Sequence, residues 1–367
     1  MFDIFSNLNS EIKKMEKSDF ISLYRNSLMG IAILWIVFYH SGINFGKIGF
    51  LSYFCSFIKY TGYLGVDIFF FVSGFGLMAS WYKKRPSILF FYKRRFLRIM
   101  PIYWFFLSIY LVLINLFGTP ITNLGTVFIY YTGFSFFISR TNNIHWFISA
   151  ILLCYLIFPF FENYFQKNKN KLRFLIFIVT LCLTLAIILT ASAFIFANKF
   201  SFLLIVILRL PAFFIGSLIG YIYIKRDNNF SYLFSIYLHV FFTFFCFVAL
   251  ALIYYFCSTD DRWLYGLYWY PFMLGSFSLT FLLSILLDTL HTRHNYLLDF
   301  LDKIGRSSLE LYFIHLLVFA FIGSKLIFNY FGILPGSNYL WIAAIFVSVI
   351  LSNIFNSILS HLNILFK

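Results

Sequence analysis

The chain has 367 residues, of which 62% are hydrophobic and only 11% are charged, and its formal net charge is +15. A mean hydropathy of +0.87 excludes a soluble globular protein and predicts a polytopic membrane protein. The Lys and Arg residues lie in short segments between apolar runs, as determinants of membrane topology do, so we expect no nucleic-acid partner. The five Cys are scattered without a disulfide or zinc spacing, and no metal is expected.

The chain begins with a mixed amphipathic segment over 1–24, which predicts a cytoplasmic lead-in helix. About ten apolar stretches of bilayer length follow it. They lie at about 27–46, 62–81, 99–117, 144–162, 174–195, 201–224, 232–256, 263–287, 307–330 and 338–363.

The segment 118–143 is short in apolar residues and rich in Gly. Basic residues collect on one side of the membrane only if this segment does not cross, so we predict an external loop that is re-entrant or interfacial, with both termini cytoplasmic. The predicted fold is one all-α membrane domain over 1–367.

The first span, RNSLMGIAILWIVFYH over 25–40, places a cation and an imidazole on one helix. Fifteen steps of about 100° bring His40 back near the face of Arg25, about 22 Å further along the helix axis. An ionisable side chain is costly at lipid depth, so His40 is a candidate functional group.

The second span opens with GYLGVDIFFFVSGFG over 62–76. Asp67 enters from the outer side at a depth similar to that of His40, so its carboxylate could fix the tautomer of His40 and raise its basicity. The alternative is a buried pair that only locks two helices together. Ser73 fits close helix packing better than a nucleophile, because no activating base lies near it in sequence.

Three arginines precede Pro101 in the cytoplasmic segment FYKRRFLRIMPIYWF over 91–105. Arg94, Arg95 and Arg98 fall within one helical arc, which suits bidentate recognition of phosphate. A role in topology or in lipid-headgroup binding is the alternative.

Other polar residues lie inside predicted spans. Arg209 faces either a polar cavity, with Asp67 as one possible partner, or the membrane surface by snorkelling. The ninth span, GRSSLELYFIHLLVF over 305–319, carries Glu310, Tyr312 and His315 in its inner half. Tyr312 and His315 share a face, and Glu310 lies near the cytoplasmic boundary. His315 is either a packing residue or a functional one, and His239 is predicted to pack.

Trp146 begins the fourth span in the segment HWFISAILLCYLIFPFF. Trp residues are enriched where a span meets the membrane surface, so Trp146 is expected at the outer interface, beside any acceptor that enters from outside.

Taken in order, these segments together resemble the acyltransferase 3 family of integral membrane acyltransferases, over nearly the whole chain. The resemblance implies about ten helices and transfer of acetyl or related acyl groups from cytoplasmic acyl-CoA to exported glycans. It also implies that His40 is the central catalytic residue and that Arg95 and Arg98 serve the donor. Many members have an Arg eleven positions before the histidine, where Met29 stands here, and Arg25 is the candidate substitute.

These observations predict one geometry. The arginines hold the phosphorylated end of acetyl-CoA at the cytoplasmic mouth, and the thioester reaches His40. A glycan hydroxyl arrives from outside, and His40 acts as general base or as transient acyl carrier, with Asp67 orienting it.

Two rival functions are a lipid-linked sugar transporter or glycan polymerase, and a non-catalytic scaffold or sensor. Polymerases of that kind usually have a large outer loop with arginines, whereas 118–143 carries only Arg140. We expect membrane lipids and a glycan acceptor as partners. The many Phe, Ile, Lys and Asn suggest an AT-rich genome and hence a bacterial cell membrane; the sequence leaves the oligomeric state and the acceptor open.

Overall fold

The computed structural model describes residues 19–46, 49–117, 121, 123–139, 146–196, 203–226, 232–257, 267–291, 295–322 and 337–365. Regular structure in these ranges is entirely helical, with no strand, as predicted. The predicted lead-in over 1–24 is described only from Asp19, and the parts of other predicted segments that fall in the gaps lie outside the described residues.

The helices are numbered in chain order. They are α1 Asp19–Leu23, α2 Arg25–His40, α3 Phe50–Tyr60, α4 Leu64–Lys84, α5 Ile88–Phe117, α6 Leu124–Tyr131, α7 Ser135–Ser139, α8 Trp146–Lys167, α9 Lys171–Phe196, α10 Leu204–Ile207, α11 Leu210–Lys225, α12 Ile236–Cys257, α13 Tyr270–His291, α14 Asn295–Arg306, α15 Ser308–Ile322 and α16 Asn338–Leu365. Short 3₁₀ turns at Thr61–Tyr63 and Leu267–Trp269 lead into α4 and α13.

Eight helical segments of the described chain are long and apolar enough to cross a membrane, and α14 with α15 would make a ninth. This number of apolar helices makes the chain a multi-pass membrane protein. The second crossing segment starts earlier than predicted, because α3, the 3₁₀ turn and α4 form one helical run over Phe50–Lys84.

The predicted count of about ten depends on two short helices. Helix α2 has 16 residues and the described α15 has 15, so each alone is shorter than the roughly 20 residues that a membrane span needs. If both cross, the count is ten; that count and the cytoplasmic termini stay predictions. Within 118–143, α6 and α7 have 8 and 5 residues, too few to span a bilayer.

The chain divides into two compact units, and the assignment of 1–367 to one domain stays a prediction. The first unit comprises Met1–Arg25, Asp67–Arg95 and Arg140–Arg293. In it α11 packs against α9 and α13, and α12 packs against α13. Helices α4 and α11 approach backbone to backbone at Gly74, which lies so close to the carbonyl of Phe213 that an added methyl group would collide with it.

The second unit comprises Asn26–Val66, Phe96–Ser139 and His294–Lys367. Helix α15 packs along α16, and the axis of α14 is bent by 76° from that of α15. The start of α2 lies directly on α14, since a methyl group on Gly30 would collide with the carbonyl of Leu301. The two short helices α2 and α15 therefore belong to the same compact unit.

Candidate active site

Two histidines from α2 and α15 meet in the second unit. His40 is the last residue of α2, and its ring lies edge-on to that of His315, with 5.4 Å between the ring centroids. His315 is fully buried, whereas His40 is exposed. Among the described residues, the His40 imidazole contacts aromatic rings rather than hydrogen-bond partners. The pair thus consists of one accessible imidazole and one supporting imidazole.

The hydrogen bonds of His315 define its tautomer. Its Nδ1 lies 2.9 Å from the carbonyl oxygen of Leu311, one helical turn earlier. A carbonyl can only accept, so Nδ1 carries the proton and Nε2 of the neutral ring has a lone pair. That buried Nε2 has no hydrogen-bond partner within the described ranges. His315 therefore has a proton-accepting nitrogen to spare beside His40.

His239, in the first unit, shows the opposite pattern. Its Nε2 donates to the carbonyl of Leu233 over 2.6 Å, and its Nδ1 lies 3.0 Å from the hydroxyl of Ser278. Both ring nitrogens are satisfied and the side chain is 2% exposed, so His239 packs as predicted.

Aromatic rings continue from the histidine pair in both directions. Tyr39 lies 5.2 Å from His40, and Phe319 lies 5.5 Å from His315, as ring-centroid distances. Trp341 of α16 contacts Phe319 at 5.2 Å, and Tyr312 contacts His315 at 5.8 Å. These rings hold the imidazoles in a mostly apolar setting. The spacing in the sequence predicts that Tyr312 shares a helix face with His315. Nothing in the sequence distinguishes Phe319 and Trp341 from other aromatic residues of the spans.

Asp67 and Arg209 form a buried ion pair in the first unit. The Nη1 of Arg209 donates to both carboxylate oxygens of Asp67, at 2.9 and 3.0 Å, and each side chain is 1% exposed. The guanidinium also lies 5.5 Å from the ring of Trp269. Snorkelling of Arg209 is thus wrong, and the possible partnership with Asp67 is confirmed. Asp67 and His40 belong to different units, and an orienting role for Asp67 stays a prediction.

The arginines predicted to bind the donor differ in their surroundings. In the first unit, Arg95 is half-buried between Phe91 and Tyr155, with ring centroids at 5.5 and 5.7 Å, and Arg94 is exposed above Phe90. In the second unit, Arg98 is exposed. The positive charge of Arg98 attracts the carboxylate of Glu310.

The remaining predicted residues lie on four helices, α2, α4, α8 and α15. The side chain of Arg25 approaches Gly76 of α4, where an added methyl group would lie 3.1 Å from the guanidinium. Ser73 is half-buried on α4 next to the Gly74 contact. Trp146 begins α8 half-buried against Phe147, with ring centroids 6.2 Å apart. Glu310 is 5% exposed, and its Oε2 lacks a hydrogen-bond partner in the described part of the chain.

No group of three or more His, Cys, Asp or Glu side chains in the described ranges is arranged to bind a metal ion. The expectation of a metal-free reaction stays a prediction.

The fold and site define a multi-pass helical membrane protein with an accessible histidine supported by a buried one. A family model described as an acyltransferase domain, that of the acyltransferase 3 family, matches residues 26–356. The chain therefore belongs to the acyltransferase 3 family, and both histidines lie inside the matched region. No curated protein and no solved structure matches the chain.

Proposed function

We propose that this membrane acyltransferase moves an acetyl or similar acyl group from cytoplasmic acyl-CoA to a hydroxyl of an extracytoplasmic or lipid-linked glycan. The family supports acyl transfer in general. The observation that carries the proposal is the contact of the exposed His40 with the buried His315. An accessible imidazole at the end of a membrane helix is suited to remove a proton from an acceptor hydroxyl.

In the general-base route, His40 takes the hydroxyl proton while the oxygen attacks the thioester carbonyl, the new ester C–O bond forms, and the C–S bond breaks to release CoA thiolate. The proton then passes from His40 to the thiolate. Nε2 of His315 supports this step by accepting a hydrogen bond from the protonated His40 ring. In the acyl-carrier route, a His40 nitrogen first attacks the thioester carbonyl, and the C–S bond breaks to release CoA thiolate. The hydroxyl oxygen then attacks the acyl-imidazole, the ester C–O bond forms as the C–N bond breaks, and the hydroxyl proton passes to the thiolate.

The donor-binding part of the proposal rests on α5. Arg94, Arg95 and Arg98 lie within about 6 Å along one helix at 1.5 Å per residue, close enough for charge-assisted bonds to neighbouring phosphates of CoA. Packing between Phe91 and Tyr155 restrains the guanidinium of Arg95, which lowers the entropy lost when phosphate binds. Arg25 is proposed to supply a further cation for the donor.

The first test measures release of CoA thiol from acetyl-CoA by purified protein in detergent, with and without a bacterial glycan extract. His40→Ala should lower the rate by about 10²-fold or more, because general acid–base catalysis contributes that much. His361→Ala, an exposed histidine of α16, is the matched control and should keep the parental rate.

Calorimetry of acetyl-CoA binding tests the donor site. Replacing Arg95 and Arg98 together by Ala should weaken binding at least about tenfold, whereas His40→Ala should bind normally. Parental rates in folded His40→Ala protein, or no acetyl-CoA binding by the folded parent, would overturn the proposal.

A further inference from the structure

The segment that follows His40 is irregular, yet side chains hold its backbone at the carbonyls of residues 43 and 44, and one hydroxyl proton is shared between the carbonyls of residues 45 and 46. Lys59 Nζ donates to Ile43 O over 2.8 Å, and Asn338 Nδ2 donates to Asn44 O over 2.8 Å. The hydroxyl of Ser52 lies 2.8 Å from Phe45 O and 2.7 Å from Gly46 O. Side chains from α3 and α16 thus replace the hydrogen bonds that a helix would have supplied.

Asn338 makes a reciprocal pair with this segment. Besides donating to the Asn44 carbonyl, its Oδ1 accepts from the Asn44 backbone N–H over 2.8 Å. The two residues are 294 positions apart in sequence, so the pair ties the start of α16 to the end of α2. Trp341, one turn further along α16, covers Gly42 so closely that any side chain there would collide with the indole.

The bilayer explains why such contacts are needed. Helix α2 has 16 residues and is therefore about 24 Å long, shorter than a hydrocarbon core of about 30 Å. Irregular backbone at membrane depth is stable only where the protein satisfies its polar groups. The Lys59 hydrogen bond to Ile43 is buried and the Ser52 contacts are partly buried, whereas the Asn338 hydrogen bonds to Asn44 are exposed.

We infer that Ser52, Lys59 and Asn338 form a clamp that positions His40. The His40 ring contacts other rings rather than hydrogen-bond partners in the described chain, so its place depends on the backbone on either side. Helix α2 fixes that backbone before His40, and the clamp fixes it afterwards. The inference rests on the proposed function only for the chemistry that His40 performs.

A purely structural clamp would affect stability alone, whereas a positioning clamp affects turnover. A displacement of about 1 Å at a reacting group can cost about 10²-fold in rate. Loss of the clamp should therefore lower kcat while leaving the KM for acetyl-CoA unchanged, because no clamp residue is proposed to contact the donor.

The experiment compares matched substitutions in the full-length protein. Ser52→Ala and Asn338→Ala should each lower kcat at least about tenfold with little change in KM. Ser52→Thr keeps the hydroxyl and should restore activity. Asn338→Asp keeps the acceptor for the Asn44 N–H but loses the donor, and should fall between Asn338→Ala and the parent. In a His40→Ala background, Asn338→Ala should cause no further loss.

A second readout does not depend on activity. Hydrogen–deuterium exchange in peptides covering 41–46 should be at least about tenfold faster in Asn338→Ala than in the parent, while peptides from α12 should be unchanged. An inactive parent with this exchange difference would overturn the proposed function and keep the clamp. An active parent whose clamp variants retain parental kcat, or a segment with unchanged exchange, would overturn the clamp.

Discussion

His239 and His315 are both buried histidines inside membrane helices, and a single nitrogen distinguishes them. His239 is hydrogen-bonded at both ring nitrogens, whereas Nε2 of His315 has no partner in the described ranges. Leaving a buried polar atom unpaired costs about 1–3 kcal/mol. The unpaired Nε2 of His315 lies beside the exposed His40, and a role in the reaction explains it better than packing does.

His315→Asn separates these two explanations. The side-chain amide nitrogen of Asn can replace Nδ1 in donating to Leu311, but nothing replaces Nε2. We expect kcat for acyl transfer to fall by about 10²-fold while the unfolding midpoint changes little. His239→Ala is the comparison: it should lower the midpoint, through about 1–3 kcal/mol of lost hydrogen bonding, without changing kcat of the folded fraction. Equal rates for His315→Asn and the parent would leave His315 as a packing residue.

At the scale of elements, helices α4 and α11 are joined by two kinds of contact. Small residues let the backbones touch, as at Gly74 and Phe213, and the Asp67–Arg209 pair joins the same two segments of chain. Both charges are removed from solvent, so neither can lose its partner cheaply.

A double-mutant cycle measures this coupling. Asp67→Asn leaves the Arg209 guanidinium buried without its counter-ion and should destabilise the protein by about 3–5 kcal/mol. Asp67→Asn combined with Arg209→Met should be less destabilised than Asp67→Asn alone, because the orphaned charge is gone. The unfolding midpoint in detergent reports both. A double variant less stable than either single variant would show that the pair contributes by more than mutual neutralisation.

The sequence left Arg209 with two alternatives, snorkelling or a polar setting with Asp67 as one possible partner, because opposite charges at membrane depth have few ways to be satisfied. The structure selects the second. The sequence also singled out both histidines, since ionisable residues stand out in apolar helices, but it assigned them to opposite halves of the membrane and named Asp67, not His315, as the partner of His40. The clamp was beyond such reasoning: Ser52, Lys59 and Asn338 lie at or beside predicted loops, where polar residues are ordinary. Their role arises only from a fold that brings together positions 294 apart.

At the scale of the whole molecule, two of the predicted crossings rest on described helices shorter than a usual span, and these two helices carry His40 and His315. Eight helical segments of the described chain qualify, and if α2 and α15 also cross, the total equals the ten predicted from composition and charge. An even number of crossings returns both termini to one side, and the basic loops favour the cytoplasm.

Cysteine labelling tests this topology in a functional variant from which the native cysteines have been removed. Leu124→Cys, at the exposed start of α6, should react with a membrane-impermeant maleimide in intact cells. Lys169→Cys, between α8 and α9, should react only after permeabilisation. The reverse pattern would invert the predicted orientation and place the arginines of α5 outside, where acyl-CoA is absent.

The segment after His40 is recognised through main-chain carbonyls, which every amino acid has. Its register along the chain is therefore fixed, while the chemical identity of most of its side chains is free to drift as long as packing is kept. Three positions lack this freedom: Gly42 lies under Trp341, the side-chain oxygen of Asn44 accepts from the Gly46 N–H over 2.9 Å, and Gly46 has a φ of +73° that other residues adopt at a cost. Most other side chains next to the reactive histidine can therefore be substituted during evolution without moving the histidine.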